Sequence, residues 1–201
     1  MMERHLTFIR HGHGINNLDK RVFYTLPRRE MYDCKLTGEG EKQCSDLKST
    51  LKIDFHKIYV SSLERTLQTA NILFSDSNCD ISVTDLVREY KNNITSYRKP
   101  ISEKKERYPY MDFSMIKSNH DNLKPELDTY AKRLCFFKYK KKEAIDFMMD
   151  RVKEFLDEIA LTNHKKICII SHRGFIHMFG RFYDKYIDIK NCGIYNMKVY
   201  M

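Results

Sequence analysis

The run Lys166-Ile167-Cys168-Ile169-Ile170-Ser171 constrains the fold more than any other stretch. Its four consecutive apolar residues leave neither face of a strand for solvent, the pattern of a strand inside a parallel sheet covered on both sides by helices. Parallel neighbours need long crossovers, and the chain supplies them. Leu6-Thr7-Phe8-Ile9 reads as a first strand. Leu36-Thr37 opens a helix with Thr37 as N-cap and Cys44, Leu47 and Leu51 on one face. Lys57-Ile58-Tyr59-Val60 reads as a second strand, and from about Leu63 a helix repeats Leu63, Thr66, Leu67, Ala70, Leu73 and Phe74 at helical spacing. Residues 81–86 alternate as a strand. Residues 143–161 carry Ile145, Met148, Val152, Leu156 and Ile159 on one helical face; Phe175, Ile176, Phe179 and Phe182 follow on another, and residues 194–200 close as a strand. Strands alternating with helices predict an α/β three-layer sandwich, a mostly parallel central sheet flanked by helices.

Two segments lack this periodicity. Residues 18–33 read as an irregular loop over the carboxyl edge of the sheet. Residues 91–142, with Pro100, Pro109 and Pro125 and many charges, read as a small inserted cap within a single domain spanning 1–201. A chain of 201 residues, 42% hydrophobic, is expected to bury one core. Its formal charge of +9 favours an anionic partner, although the basic run at Lys132, Arg133 and 138–142 reads as a solvated face. The six cysteines lack any C-x-x-C spacing, which predicts reduced thiols rather than a disulfide framework or a zinc site. No apolar leader or membrane-length segment is present, so a cytoplasmic protein without membrane contact is expected.

Polar groups gather where the predicted strands end: Arg10-His11, Ser61 to Arg65, Glu89 and His172. In a parallel sheet the strand-to-helix turns open on one edge, where ligands bind, so these groups converge there. A guanidinium offers a planar fork to phosphate oxygens, and an imidazole is a nucleophile at neutral pH. Arg65 falls in the first turn of a helix, where a cation opposes the dipole, which suggests that it serves a ligand. Gly12 and Gly14 are expected to let the turn after His11 close tightly and approach that ligand.

The motifs Arg10-His11-Gly12 with Asn17, Leu36-Thr37-x-x-Gly40, Ser61-x-Leu63-x-Arg65-x-x-Gln68-Thr69-Ala70, Leu86-x-x-Glu89 and Ser171-His172 span nearly the whole chain in order. In these the sequence resembles the histidine phosphatase superfamily, the fold shared with cofactor-dependent phosphoglycerate mutases. The resemblance implies that His11 attacks phosphorus and becomes a phosphohistidine, with Arg10, Arg65 and His172 around the phosphoryl oxygens and Asn17 as a further donor. It implies that Glu89 protonates the leaving oxygen, then takes a proton from water. It calls for no metal and no cofactor. His13 is expected to touch substrate or line the turn.

The mutases of that superfamily are longer, with a Glu-Arg-His-Tyr-Gly segment after the acid strand and a tail past the last strand. Here Glu89 is followed by Tyr90-Lys91-Asn92-Asn93 and the sequence stops at Met201, which favours hydrolysis: a histidine acid phosphatase-like phosphomonoesterase. The segment around Arg98-Lys99-Pro100, Arg107-Tyr108-Pro109 and Asp112-Phe113-Ser114 resembles the insert of plant and fungal phosphoglycerate mutase-like proteins. Arg173 stands where a small residue is usual, and either contacts a second phosphate or pairs with an acid such as Asp184. With Arg98 and Lys99 it suggests an anionic phosphometabolite or nucleotide as substrate. The competing readings are a mutase acting within one phosphorylated metabolite, a non-catalytic phosphate-binding protein, and a nucleic-acid-binding protein for which no recognisable module is present. Oligomeric state is not legible.

Overall fold

A computed structural model describes residues 2–90, 94–121 and 137–201, with backbone alone for 137–144. Strand β1 (Glu3–Arg10) is followed by a 3-10 turn at Ile15–Asn17 and two short helices, α1 (Lys20–Phe23) and α2 (Arg28–Met31). The expectation of an irregular loop over 18–33 is thus corrected. Asp19 accepts a hydrogen bond from the Arg21 N–H and Pro27 precedes the second turn, local devices that nucleate single helical turns without an apolar stripe. Then come α3 (Gly38–Thr50), β2 (Lys57–Ser61), α4 (Glu64–Phe74), β3 (Ile81–Thr84), α5 (Ile101–Arg107), α6 (Phe137–Ala160), β4 (Lys166–Ser171), α7 (Arg173–Phe182) and β5 (Ile194–Tyr200). Thr37 caps α3 as its sequence position predicts, its hydroxyl accepting from the Gly40 N–H at 3.2 Å.

The five strands lie in the order β3-β2-β4-β1-β5, parallel except for β5, which runs antiparallel to β1. Side chains alternate across it. Leu6, Phe8, Tyr59, Ile167 and Ile169 face a core shared with Phe155, Ile159, Phe175 and Phe179 of α6 and α7. Ile9, Ile58, Val60, Cys168 and Ile170 face the opposite core, against Leu67, Ala70 and Leu73 of α4 and Leu47 of α3. Helices on both faces explain why β4 reads as an unbroken apolar run.

This topology creates a switch point. From β1 the chain leaves through α3, on one face, towards β2; from neighbouring β4 it leaves through α7, on the other face, towards β5. Connections that depart in opposite directions open a crevice beyond the carboxyl ends of the two strands. The described part of the expected cap, residues 94–121, packs along β3: Val83 donates to the Asp112 carbonyl at 2.7 Å, and Tyr108, Met111 and Phe113 are buried in the core beside α4. Residues 91–93 and 122–136 of that segment, with Lys132 and Arg133, lie outside the described residues.

Arg4, 2% exposed, ties the start of β1 to the end of α6. Its guanidinium donates to the carbonyls of Ala160 (3.2 Å), at the helix end, and of Thr162 (2.5 Å) and His164 (2.7 Å) in the loop that follows. Replacing it with Met keeps the buried stem and orphans three acceptors. We expect Arg4→Met to cost about 2 kcal/mol or more, read as a lower urea midpoint at unchanged slope.

Candidate active site

Parallel pairing of β1 with β4 sets Arg10 beside Ser171, and the His11 N–H donates to the Ser171 carbonyl at 3.0 Å. His11 and His172 therefore leave the sheet side by side. Their ring centroids are 5.0 Å apart at 59°, and both residues are buried. The His11 Nδ1 lies 2.7 Å from the carbonyl oxygen of Gly12, which can only accept. Nδ1 therefore carries the proton, and the Nε2 lone pair is left outward. Arg65, 1% exposed, donates from Nε to that Nε2 at 3.3 Å and from Nη1 to the Thr95 carbonyl at 2.9 Å. It is no surface arginine: β2 ends at Ser61, Leu63 caps α4, and the first turn aims the guanidinium into the crevice.

Burial, then the positive field of Arg65, holds both imidazoles well below the usual histidine range; Arg10 adds to this at His11, and His11 itself at His172. Both rings are neutral at neutral pH. Ser61 Oγ sits 2.8 Å from His172 Nε2, while Nδ1 of that ring is buried without a partner among the described residues. Arg10, half-buried, donates from Nη1 to the Ile189 carbonyl at 3.0 Å and keeps a buried Nε without an acceptor. A cation and a histidine with unused polar atoms at a strand-end crevice are suited to an anion.

Glu89 reaches the site from β3. Ser171 Oγ donates to the Val87 carbonyl at 2.6 Å, and Arg151 donates to the Arg88 carbonyl at 3.0 Å, so both neighbours of the loop are fixed. The carboxylate rests on the first turn of α7, accepting from the Gly174 N–H at 3.2 Å and from the Tyr90 N–H at 3.0 Å. A β-carbon at position 174 would lie 2.1 Å from Glu89 Oε1, so only glycine admits the acid there.

Asn17 accepts through Oδ1 from the Gly14 N–H (3.0 Å) and from Asn191 Nδ2 (3.3 Å), which orients its own amide nitrogen as a donor. His13 lines the turn: its ring meets the Thr37 hydroxyl at 2.9 Å and its N–H donates to Gln43. The glycines of this turn work differently from expectation, since no described glycine has a positive φ. Gly12 is small because α3 presses on it, a β-carbon there falling 2.7 Å from the Gly40 carbonyl and 2.8 Å from Cys44 Sγ.

Of the three expected substrate contacts beyond the His11 cluster, the structure corrects Arg98. Arg98 is 1% exposed and grips Asp85 through Nε and Nη2, both at 3.2 Å, together with the carbonyls of Ser118, Asn119 and His120. It is an internal strut, its buried charge paired with Asp85 and its remaining donors spent on loop carbonyls. Lys99 is fixed through its backbone N–H, donated to Asp33 at 2.8 Å, and no contact joins its side chain to the His11 cluster among the described residues. Arg173 projects into solvent and forms a two-point ion pair with Asp188, both bonds 2.8 Å, rather than with Asp184.

Sequence reasoning missed Asn191 and Cys192, which hold the His11 carbonyl: Asn191 Nδ2 donates at 2.9 Å and the Cys192 N–H at 3.3 Å. It also left Thr69 without a role, although its hydroxyl accepts the Gly12 N–H at 3.2 Å. Only the turn signal Asn191-Cys192-Gly193 before the last strand hinted at the first two.

The family model of the histidine phosphatase superfamily (branch 1) matches residues 6–197. Phosphoglycerate mutase-like protein 1 of Arabidopsis thaliana is 27% identical over 203 residues, spanning 84% of this chain and 67% of that protein. Among solved structures, a putative alpha-ribazole-5'-P phosphatase from Escherichia coli superposes with a TM-score of 0.60 at 15% identity, over 98% of this chain and 91% of that one. A mutant phosphoserine phosphatase from Entamoeba histolytica, in complex with phosphoserine, gives 0.56 at 18% identity over 96% and 89%. At these identities the structures speak to the fold.

Two predictions follow from the buried groups. The unfolded chain binds protons at His11 and His172 near the ordinary pKa of 6.5, while the folded chain resists them. Stability is therefore full above that pH and falls as pH drops through it, by up to about 1.4 kcal/mol per pH unit for each ring. Urea midpoints between about pH 7.5 and 5.5 should fall, with a shallower decline in His172→Asn. Arg98→Met should lose on the order of 3 kcal/mol by taking the two-point partner from Asp85 and leaving the Ser118, Asn119 and His120 carbonyls without this donor, with KM unchanged for any substrate turned over.

Proposed function

The chain belongs to the histidine phosphatase superfamily, and from that premise we propose that it is a phosphatase that hydrolyses monoesters of an anionic small molecule, a phosphometabolite or nucleotide, through a phosphohistidine on His11. The observation that carries this reading is the neutral His11 ring, its Nδ1 proton given to the Gly12 carbonyl and its Nε2 facing Arg65. A nucleophile needs an available lone pair at neutral pH, and a phosphoryl group needs cations already in place around the charge it develops.

In this mechanism the substrate phosphate displaces Arg65 from Nε2 and takes the guanidiniums of Arg65 and Arg10 onto its oxygens, with Asn17 Nδ2 and His172 as further donors. His11 Nε2 attacks phosphorus in line with the ester oxygen. Glu89, protonated, gives its proton to that oxygen, and the alcohol leaves. The resulting carboxylate takes a proton from water as the water oxygen attacks phosphorus, releasing phosphate and restoring both residues. Two guanidiniums supply the positive charge, so no metal enters the sequence of steps. The donation from Gly174 N–H keeps Glu89 in place through both. We read residues 1–201 as one domain with 91–142 as its cap, which would set substrate preference.

The test is p-nitrophenyl phosphate hydrolysis with a chelator present. Wild type should turn over, and His11→Ala should lose about a thousandfold or more. Glu89→Gln should lose about a hundredfold on an alkyl phosphate and less on the nitrophenyl ester, whose leaving oxygen needs no proton. The same variant should accumulate phosphohistidine, visible in an alkaline quench. Chelator-sensitive release, or release that survives His11→Ala, would overturn the assignment.

A further inference from the structure

Behind the His11 turn two thiols face one another. Cys44 lies within α3, fully buried, and Cys192 lies half-buried in the turn that enters β5; their sulfurs are 3.4 Å apart. We propose that Cys44 and Cys192 are a reversible modification site, closing to a disulfide that shifts the His11 turn and lowers the activity of the site. The effect on activity rests on the reading of His11 as the nucleophile; the covalent site does not.

The pair is joined to the nucleophile from both sides. The Cys192 N–H donates to the Arg10 carbonyl at 3.0 Å and to that of His11 at 3.3 Å, and neighbouring Asn191 donates to the His11 carbonyl at 2.9 Å. Cys44 Sγ touches the Thr69 hydroxyl at 3.7 Å, and that hydroxyl accepts the Gly12 N–H. Cys192 has a φ of 53°, in the left-handed region that a non-glycine residue enters at a cost of about 1–2 kcal/mol, and such stored strain gathers where a backbone is built to move.

A disulfide bond measures about 2.05 Å, so closure draws the two sulfurs together by more than about 1 Å. Cys44 is held in the interior of a thirteen-residue helix packed against α4. The strained turn yields more readily, and it carries the groups that grip His11. Displacement of a reacting atom by about 1 Å is enough for a loss of up to about a hundredfold.

A low-molecular-weight disulfide such as oxidised glutathione supplies the oxidation. Cys192, the partner nearer solvent, attacks one of its sulfurs, and its thiol proton passes to the expelled glutathione as the mixed disulfide forms; its hydrogen bond to Cys44, then burial, holds that thiol up, so the step quickens as pH rises. Cys44, its sulfur 3.4 Å from that of Cys192 before reaction, is the thiol placed to resolve it. Its sulfur attacks that of Cys192, the mixed disulfide breaks, and the second glutathione leaves. Two protein thiols are oxidised, one glutathione disulfide is reduced to two thiols, and those thiols carry away the two protons.

The reduced chain is treated with oxidised glutathione, remaining thiols are blocked, and tryptic peptides are read by mass spectrometry. Turnover of p-nitrophenyl phosphate and calorimetric affinity for inorganic phosphate are compared before oxidation, after it and after dithiothreitol. We expect a peptide linked through Cys44 and Cys192, a fall in turnover of about tenfold or more that dithiothreitol reverses, and weaker phosphate binding. In Cys192→Ser the ratio of oxidised to reduced turnover should be one; if that variant does not fold, Cys44→Ala serves. Folded wild type that yields no such peptide, or linkage that leaves turnover and phosphate affinity unchanged, overturns the proposal. A reduced chain without turnover counts against the nucleophile instead, with linkage and phosphate affinity still deciding the switch.

Discussion

Everything at the site depends on the parallel pairing of β1 with β4. Register sets Arg10 against Ser171, so each strand's next residue, His11 or His172, emerges at the same height. A one-residue slip would turn Phe8 and Ile169 away from the α6–α7 core and separate the two imidazoles. The hydrophobic contacts that fix the register therefore also fix the distance between the catalytic candidates. The same pairing brings Ser171 Oγ to the Val87 carbonyl, which carries the positional information on to the loop bearing Glu89. Packing two cores against one sheet and assembling one site are a single physical event.

The chain's charge shows how an arithmetic feature of sequence divides once it is folded. A formal +9 suggests an anionic partner. Yet Arg4, Arg88, Arg98 and Lys104 are buried, and each is occupied internally: Arg4 by carbonyls, Arg88 by Asp121 and the Ser96 carbonyl, Arg98 by Asp85, Lys104 by Asp33 at 2.5 Å and the Ser62 carbonyl at 2.6 Å. These cations hold loops whose backbone groups have no ladder to join. Arg65 and Arg10 differ in position: Arg10 adjoins His11 at the carboxyl end of β1, and Arg65 donates from Nε to the His11 Nε2. Position at the strand-end crevice, rather than net charge, marks the guanidiniums suited to a ligand.

The strands and the residues at their ends were legible because each carries a local signal: an apolar run for β4, the dipole conflict at Arg65, the capping threonine of α3. Arg98 was misread because a cation in a Pro-rich segment looks the same in sequence whether its acid is absent or, as here, thirteen residues upstream at Asp85. Tertiary pairing decides, and composition does not encode it. Residues 18–33 were misread for a related reason, since single turns held by Asp19 and Pro27 show no periodicity over four residues. Asn191 and Cys192 act mainly through what they do to a backbone carbonyl 180 residues away in sequence, and no spacing rule reaches that far.

That grip on the His11 carbonyl answers a problem set by the chemistry. A nucleophilic imidazole must be neutral, oriented and unprotonated at one nitrogen, in a pocket lined with cations. The Gly12 carbonyl selects the tautomer, but it lies on the same turn as the ring and could swing with it. Asn191 and the Cys192 N–H anchor that turn from the turn entering β5, and Thr69 anchors it from α4 through the Gly12 N–H. The turn is thus held between two elements on different sides of β1. Because those anchors are hydrogen bonds worth about 1 kcal/mol each, a covalent change of a few kcal/mol in the strained turn at Cys192 outweighs any one of them. With His11 as the proposed nucleophile and the two thiols as the proposed switch, the same precision exposes the site to control from behind.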